Sequence, residues 1–317
     1  MIKRIWSVGL FCFFATVGYW HSWEVSQIAE LSSLDSSNPF VVAHRGDEQL
    51  FPENSAEAFL SGARAGADYV EMDVRRTQDG VFVIHHDDST GRSVRCAQSE
   101  VAIARASWSY LRSECRYKDL PPEKGQVLTL AETLELLRKT KTGLVLDVKP
   151  VIKENEMADL AEELLRLDPQ GQCALGVDLG GTYNCFSNII IYVNDLPAHD
   201  KLWRWAKGLE SAEARYKVLG AMKFLKIVHN GSAALKEPAK YLDNDGIAFN
   251  MKATSVEDIQ ALRAQFPEKI LAVWTLGKKA EFDLARDLKM DGIITSHLHD
   301  YLGLWRSPSL LNDSAKE

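Results

Sequence analysis

The chemistry-bearing residues cluster early: His44-Arg45-Gly46, Pro52-Glu53-Asn54, Glu71-Met72-Asp73 and His86-Asp87 follow one another on short strand-like runs and the turns after them. Strand ends in α/β proteins are where ligands bind. Carboxylates, imidazoles and a guanidinium gathered there are the makings of a divalent metal site, a phosphate clamp and an acid–base pair.

Glu71 and Asp73 stand two apart on one strand, so their side chains share a face. Lining a barrel interior, two unpaired carboxylates are too costly to leave uncompensated. A divalent cation resolves the conflict, and hard oxygen donors favour Mg²⁺ or Ca²⁺. The alternative is an ordinary charged strand end beside Arg75 and Arg76. Asp147, closing a separate apolar strand with Lys149 on its face, favours the first arrangement.

His44 and His86 are the candidate acid and base, because imidazoles titrate near neutrality. Alternation along the run points His85 away from His86 and gives it a structural role. Arg45 offers a planar fork for phosphate oxygens, or forms a surface ion pair.

The elements that position these groups follow from periodicity. Phe40–Ala43 reads as a strand ending at His44. Asn54, with Glu57 three residues on, reads as the N-cap of a helix running to Gly66. Tyr69–Val74 is the next strand, and Gln78-Asp79-Gly80 turns it into Val81–His85. So short a link makes this pair antiparallel, an excursion from an otherwise parallel sheet. An unbulged hairpin there sets Glu71 near His86 and Asp73 near Ile84.

An irregular helical insert spans Ala97–Leu120, and Thr129 caps a helix reaching about Lys139. Leu144–Lys149 is a buried strand closed by Pro150, followed by a helix over Ile152–Leu167. Ser187–Val193 and Gly246–Asn250 read as strands, Cys173–Asp178 and Phe224–Val228 more weakly, with a helix at Leu202–Gly208 among them. Ile270–Thr275, a helix over Lys278–Leu288 and Asp291–Thr295 complete the chain. Roughly eight buried strands alternating with helices predict a closed TIM-like (β/α)8 barrel. No glycine-rich phosphate loop favours a doubly wound sheet.

In their order, His-Arg-Gly, Pro-Glu-Asn, Gly-Ala-Asp-x-x-Glu-x-Asp-Val, Asp-Gly-x-x-Val-x-His-Asp, a late Trp-Thr and Asp-Gly-Ile-Ile-Thr resemble the glycerophosphodiester phosphodiesterase family, from about Val41 to Tyr301. The resemblance implies a TIM-like barrel with its active site at the carboxyl ends of the strands. It makes His44 and His86 the general acid and base, and Glu71, Asp73 and Asp147 the metal ligands. It sets Arg45 and Lys149 on phosphate, with Glu53 supporting or ligating the metal. Trp274 would flank the glycerol or lipid end.

The implied reaction yields an alcohol and sn-glycerol 3-phosphate from glycerophosphodiesters, or acts similarly on lysophospholipids. A sphingomyelinase D- or phospholipase D-like enzyme releasing a cyclic phosphate, and a non-catalytic barrel that binds lipid headgroups, are the alternatives. Two departures from the family pattern bear on the substrate. Asp147 stands where the family usually has Glu, drawing the ligand back by about 1.5 Å, roughly one C–C bond. Ser89–Arg95 carries only a faint form of the usual Leu-x-Arg-Thr-Thr run.

The chain has 317 residues, 46% hydrophobic and 26% charged, with a net charge of −7. That length buries a full core, and the acidic balance gives no footprint for nucleic acid. Lys3 and Arg4 precede an apolar run from Ile5 to Trp20, read as a signal or, by preference, an uncleaved membrane anchor. The expected organisation is an anchor segment over 1–23, a polar linker over 24–39, the barrel over 40–306 and a tail over 307–317. The charge placement puts the barrel outside the cytoplasm, periplasmic or extracellular, anchored or secreted. Cys96, Cys115, Cys173 and Cys185 suit either disulfides in an oxidising compartment or buried thiols.

Overall fold

The computed structural model describes residues 39–149 apart from 99, 139 and 141, then 159–160, 163–164, 189–193, and 222–305 apart from 243. The expected anchor and tail, and the linker apart from Pro39, lie outside the described residues. So do the predicted strand at Cys173–Asp178, the helix at Leu202–Gly208 and most of the helix at Ile152–Leu167. Among the described residues no helix is long and apolar enough to cross a membrane.

Eight parallel strands form the barrel: β1 (Phe40–Ala43), β2 (Tyr69–Arg76), β6 (Gly143–Val148), β7 (Ile189–Val193), β8 (Met222–Val228), β9 (Gly246–Asn250), β10 (Ile270–Leu276) and β11 (Gly292–Thr295). They run in chain order around the sheet, and β1 closes it by pairing with both β11 and β2. Alternation along the strands sorts the apolar residues into two layers. Val42, Val145, Leu225, Ala248, Ala272 and Ile294 fill the barrel. Val41, Val70, Met72, Leu146, Phe249 and Val273 face the helical jacket and pack with Phe59, Leu134 and Phe282.

The jacket's described helices are α1 (Ala56–Ala65), α3 (Leu130–Leu137), α5 (Val256–Gln265), α6 (Lys279–Asp287) and α7 (Leu298–Trp305), with the short α4 (Ser232–Lys236). Thr129 caps α3 in a full capping box with Glu132, as its sequence predicts. The start of α1 differs from expectation. Ser55 is its N-cap, accepting from the Ala58 amide, because the Asn54 side chain is committed to Asp73 instead. Gly66 ends α1 in the left-handed conformation.

The antiparallel excursion is present as β3 (Phe82–Ile84), but one residue out of the expected register. Val74 pairs with Ile84, and the His85 amide donates to the Asp73 carbonyl. Glu71 is therefore not brought to His86 by the hairpin. Gly80, at φ 88°, adds a left-handed residue to the turn, and Thr77 and Val81 close a three-residue loop.

The insert is more ordered than a helical excursion. β4 (Val94–Cys96) and β5 (Cys115–Tyr117) pair antiparallel around α2 (Trp108–Glu114). A Cys96–Cys115 disulfide joins the two strands. Val83, Val94, Ile103, Leu111, Tyr117 and Val127 give it a small core of its own. Cys173 and Cys185 lie outside the described residues.

Candidate active site

Parallel register brings the acids together. Asp73 on β2 is the direct partner of Asp147 on β6, and Glu71 lies one side-chain step down the same face. All three are buried, and each offers a carboxylate oxygen within 4.8 Å of the others. Lys149 Nζ sits 2.5 Å from Asp73 Oδ1 and 2.7 Å from Asp147 Oδ2. Arg45 Nε adds a second cation 3.3 Å from Asp73 Oδ2. Burial works against ionising Asp73, but Lys149 and Arg45 outweigh it and hold its carboxyl down at about 2.

Glu71 fares differently. Its carboxylate accepts one hydrogen bond, from the Arg45 amide at 2.8 Å. Burial, with Asp73 beside it, pushes it up to about 8. Among the described residues, Lys149 pairs with Asp73 and Asp147 and Arg45 with Asp73, while no lysine or arginine side chain forms an ion pair with Glu71. An all-oxygen cluster with one uncompensated carboxylate fits a hard divalent cation.

The two histidines stand on the loops above this cluster, and each has a carboxylate at Nδ1. His44 Nδ1 lies 2.5 Å from Glu48 Oε1 and 3.2 Å from Ser296 Oγ. Burial lowers its affinity for a proton, but the bond to Glu48 outweighs burial and the net shift is upward. His86 Nδ1 lies 2.8 Å from Asp87 Oδ1. Arg75 is buried rather than solvent-facing, and its guanidinium grips the His86 carbonyl through Nε at 2.9 Å. His85 is buried with Nε2 3.1 Å from the Ser89 carbonyl, a structural residue as alternation predicts.

Arg92 fills the weak run after His86. It reaches Asp87 through Nε at 2.6 Å and Glu53 through Nη2 at 2.5 Å. Glu53 also accepts from Arg45 Nη1 at 2.8 Å. Glu53 thus stands outside the triad with both oxygens on arginines, fixing the guanidinium proposed for phosphate. Trp274 lies on the inner face of β10, its ring centroid 6.1 Å from that of His229 at the end of β8.

Several of these partners escape sequence reasoning. Asn54, at φ 59°, donates to Asp73 Oδ2 at 2.6 Å and accepts from the Asp73 amide at 3.1 Å. Tyr117 on the insert steadies Asn54 by donating to its carbonyl at 2.8 Å. Asp47, buried, takes Ser61 Oγ at 2.6 Å and pairs with His299 Nε2 at 2.8 Å. Gly46 lies so close to α1 that a Cβ would meet the Ala58 carbonyl carbon at 2.6 Å. The Pro-Glu-Asn and His-Arg-Gly runs signal Asn54 and Gly46; no local pattern signals Glu48, Ser296 or His299.

Residues 44–171 match the model of the Glycerophosphoryl diester phosphodiesterase family. A glycerophosphodiester phosphodiesterase of Caldanaerobacter subterraneus is 45% identical over 53 residues, 17% of this chain and 22% of that protein. The Arabidopsis thaliana glycerophosphodiester phosphodiesterase GDPD4 is 29% identical over 139 residues, 43% and 41% of the two chains. The match therefore spans less than half of either relative. The fold likeness is far broader. An Oleispira antarctica phosphodiesterase, solved with the product sn-glycerol-3-phosphate, superposes with a TM-score of 0.63 at 18% identity, over 90% of this chain and 99% of that one. The Thermotoga maritima glycerophosphodiester phosphodiesterase gives 0.56 at 22% identity, over 84% and 98%. Residues 44–171 thus carry the sequence pattern of the glycerophosphoryl diester phosphodiesterase family, and the barrel that holds them has the fold of its solved members.

Proposed function

We propose that this chain, with a divalent metal, hydrolyses glycerophosphodiesters to an alcohol and sn-glycerol 3-phosphate, or lysophospholipids to an alcohol and the acylated glycerol phosphate. One observation carries the reading: two imidazoles, each tied at Nδ1, share the strand ends with a buried Glu71–Asp73–Asp147 cluster. Glu71, Asp73 and Asp147 would hold the metal, Mg²⁺ or Ca²⁺. When bound, it supplies Lewis-acid stabilisation of charge on the phosphoryl oxygens.

The chain's own groups do the rest. Arg45, braced by Glu53, presents its guanidinium to a non-bridging oxygen, and Lys149 adds a second positive charge. One of His44 and His86 takes the proton from the attacking glycerol hydroxyl, and the other protonates the departing alkoxide. Water then opens the resulting cyclic phosphate with the two roles exchanged. Trp274 walls the glycerol or lipid end. The Cys96–Cys115 bond supports an oxidising compartment and hence an exported, membrane-anchored or secreted enzyme.

The test is hydrolysis of glycerophosphocholine and lysophosphatidylcholine with Mg²⁺, Ca²⁺ or EDTA, with products identified. Metal-dependent release of glycerol 3-phosphate from glycerophosphocholine, or of acylglycerol phosphate from lysophosphatidylcholine, is expected. A cyclic phosphate that persists would replace this reading with a sphingomyelinase D-like one. If no phosphodiester turns over and His44→Ala behaves as the parent, a non-catalytic headgroup-binding barrel takes its place.

A further inference from the structure

We propose that Glu48 is a positioning residue for His44: its carboxylate fixes the proton on Nδ1, so that bare Nε2 faces the reacting atoms. This inference rests on the proposed phosphodiesterase reading, but its structural basis is separate.

The contact is short and prebuilt. Glu48 Oε1 lies 2.5 Å from His44 Nδ1, with both side chains 19% exposed. A carboxylate is acceptor only, so in the neutral ring Nδ1 must carry the hydrogen. The turn that carries Glu48 is anchored on both sides. The Leu50 and Phe51 amides donate to the Asp47 carbonyl, and the Asp47 amide donates to that of Ala58. The Asp47 carboxylate in turn holds Ser61 Oγ and His299 Nε2. Glu48 is thus delivered to the ring by backbone already fixed, without a rotamer search at the moment of reaction.

The two histidines are backed unequally. Asp87, on His86, shares its carboxylate with Arg92. Among the described residues, His44 is the only basic side chain in ion-pair contact with Glu48. Glu48 therefore both selects the tautomer and sets a negative charge against the imidazolium that forms when Nε2 takes a proton, with Ser296 as its other hydrogen-bond partner. The role is that of the buried aspartate in serine-protease triads, which orients its histidine without exchanging the proton.

The experiment uses full-length protein labelled with ¹⁵N in histidine, in EDTA, at a pH above the ring's titration. The His44 signal is assigned by its loss in His44→Ala. The parent should show a protonated Nδ1 and a bare Nε2. Glu48→Ala should lose that preference and lower kcat about ten- to a hundredfold with KM unchanged. Glu48→Gln keeps an acceptor without charge, and should keep the tautomer and recover part of kcat. If Glu48→Ala fails to fold, Glu48→Met, similar in length and without an oxygen, repeats the measurement. A parent ring protonated on Nε2 overturns the proposal. So does an alanine or methionine variant in which tautomer or kcat stays at the parental value. A parent with no turnover of any phosphodiester sinks the functional reading alone, while the ring signals still decide what Glu48 does.

Discussion

Replacing Glu71 with glutamine should make the metal-free protein more stable while ending its turnover. Glu71 is 3% exposed and, with burial and Asp73 against it, titrates at about 8 rather than at its ordinary 4.5. The unfolded chain ionises freely above 4.5, whereas the folded chain must keep the proton. Stability is therefore unaffected below pH 4.5, falls as pH rises from there, and levels off above about 8. At about 1.4 kcal/mol per pH unit, the cost at pH 7 is about 3 kcal/mol. Glutamine escapes it. Its amide oxygen still accepts from the Arg45 amide, as the protonated carboxyl does, so little is lost in that hydrogen bond. Desolvation outweighs the hydrogen bond.

Urea unfolding in EDTA measures the difference, and a gain of up to about 3 kcal/mol at pH 7 is expected for Glu71→Gln, shrinking to nothing near pH 4.5. Adding Mg²⁺ or Ca²⁺ at a hundredfold over its Kd should restore about 2.7 kcal/mol to the parent and little to the variant. The order of stabilities then narrows or reverses. A variant no more stable than the parent in EDTA at pH 7, or a difference that does not change with pH, would refute the reasoning.

His86→Ala should cost about 10²- to 10⁴-fold in kcat while leaving metal affinity intact, as calorimetric titration of the variant can check. Asn54→Ala removes both bonds to Asp73 and leaves that buried carboxylate short of a donor; a loss of about 1–3 kcal/mol in denaturant unfolding is expected. Arg92→Ala unlocks Glu53 and Asp87 together, and should raise KM more than it lowers kcat if Arg45 then wanders from the phosphate; equal losses in both would place Arg92 in the transition state instead. Cys96→Ser with Cys115→Ser opens a loop with a sequence separation of 19. It should cost about 3 kcal/mol, matched by reductant on the parent.

What the sequence made legible was whatever a strand encodes by itself. An apolar run that ends in Asp147-Val148-Lys149 announces both its burial and the face of its charges, so the triad could be named. Alternation separated His85 from His86 for the same reason. The hairpin register slipped because one left-handed glycine adds a residue that hydrophobic alternation does not report. Asn54 reads as a cap because its side chain satisfies a helix start and a buried aspartate equally well by sequence; only the fold shows that Asp73 needs it and that Ser55 caps in its place. Ser296 and the Asp47–His299 pair carry no local signal because their partners depend on barrel closure, and Glu48 carries none because its reach to His44 is set by an irregular turn rather than by a strand or helix period. Ser296 meets His44 across 252 residues, when β11 pairs with β1.

The site therefore divides by the kind of backbone that builds it. The acids suited to a metal come from adjacent strands whose register makes Asp73 and Asp147 neighbours, where a cation requires fixed distances. The imidazoles and their carboxylates come from the loops above, each loop supplying both members of its pair: His44 with Glu48, His86 with Asp87. Strand geometry cannot shift without moving the core, but a loop can exchange its carboxylate or its arginine while the triad stays in place. Changes at Glu48, Asp87 and Arg92 should accordingly act on kcat, KM and headgroup preference at nearly constant metal affinity. The run at Ser89–Arg95 belongs to the loop side of this division: Arg92 holds Glu53 to Asp87 there, while Thr90 and Val94 are buried and tie the run to the insert.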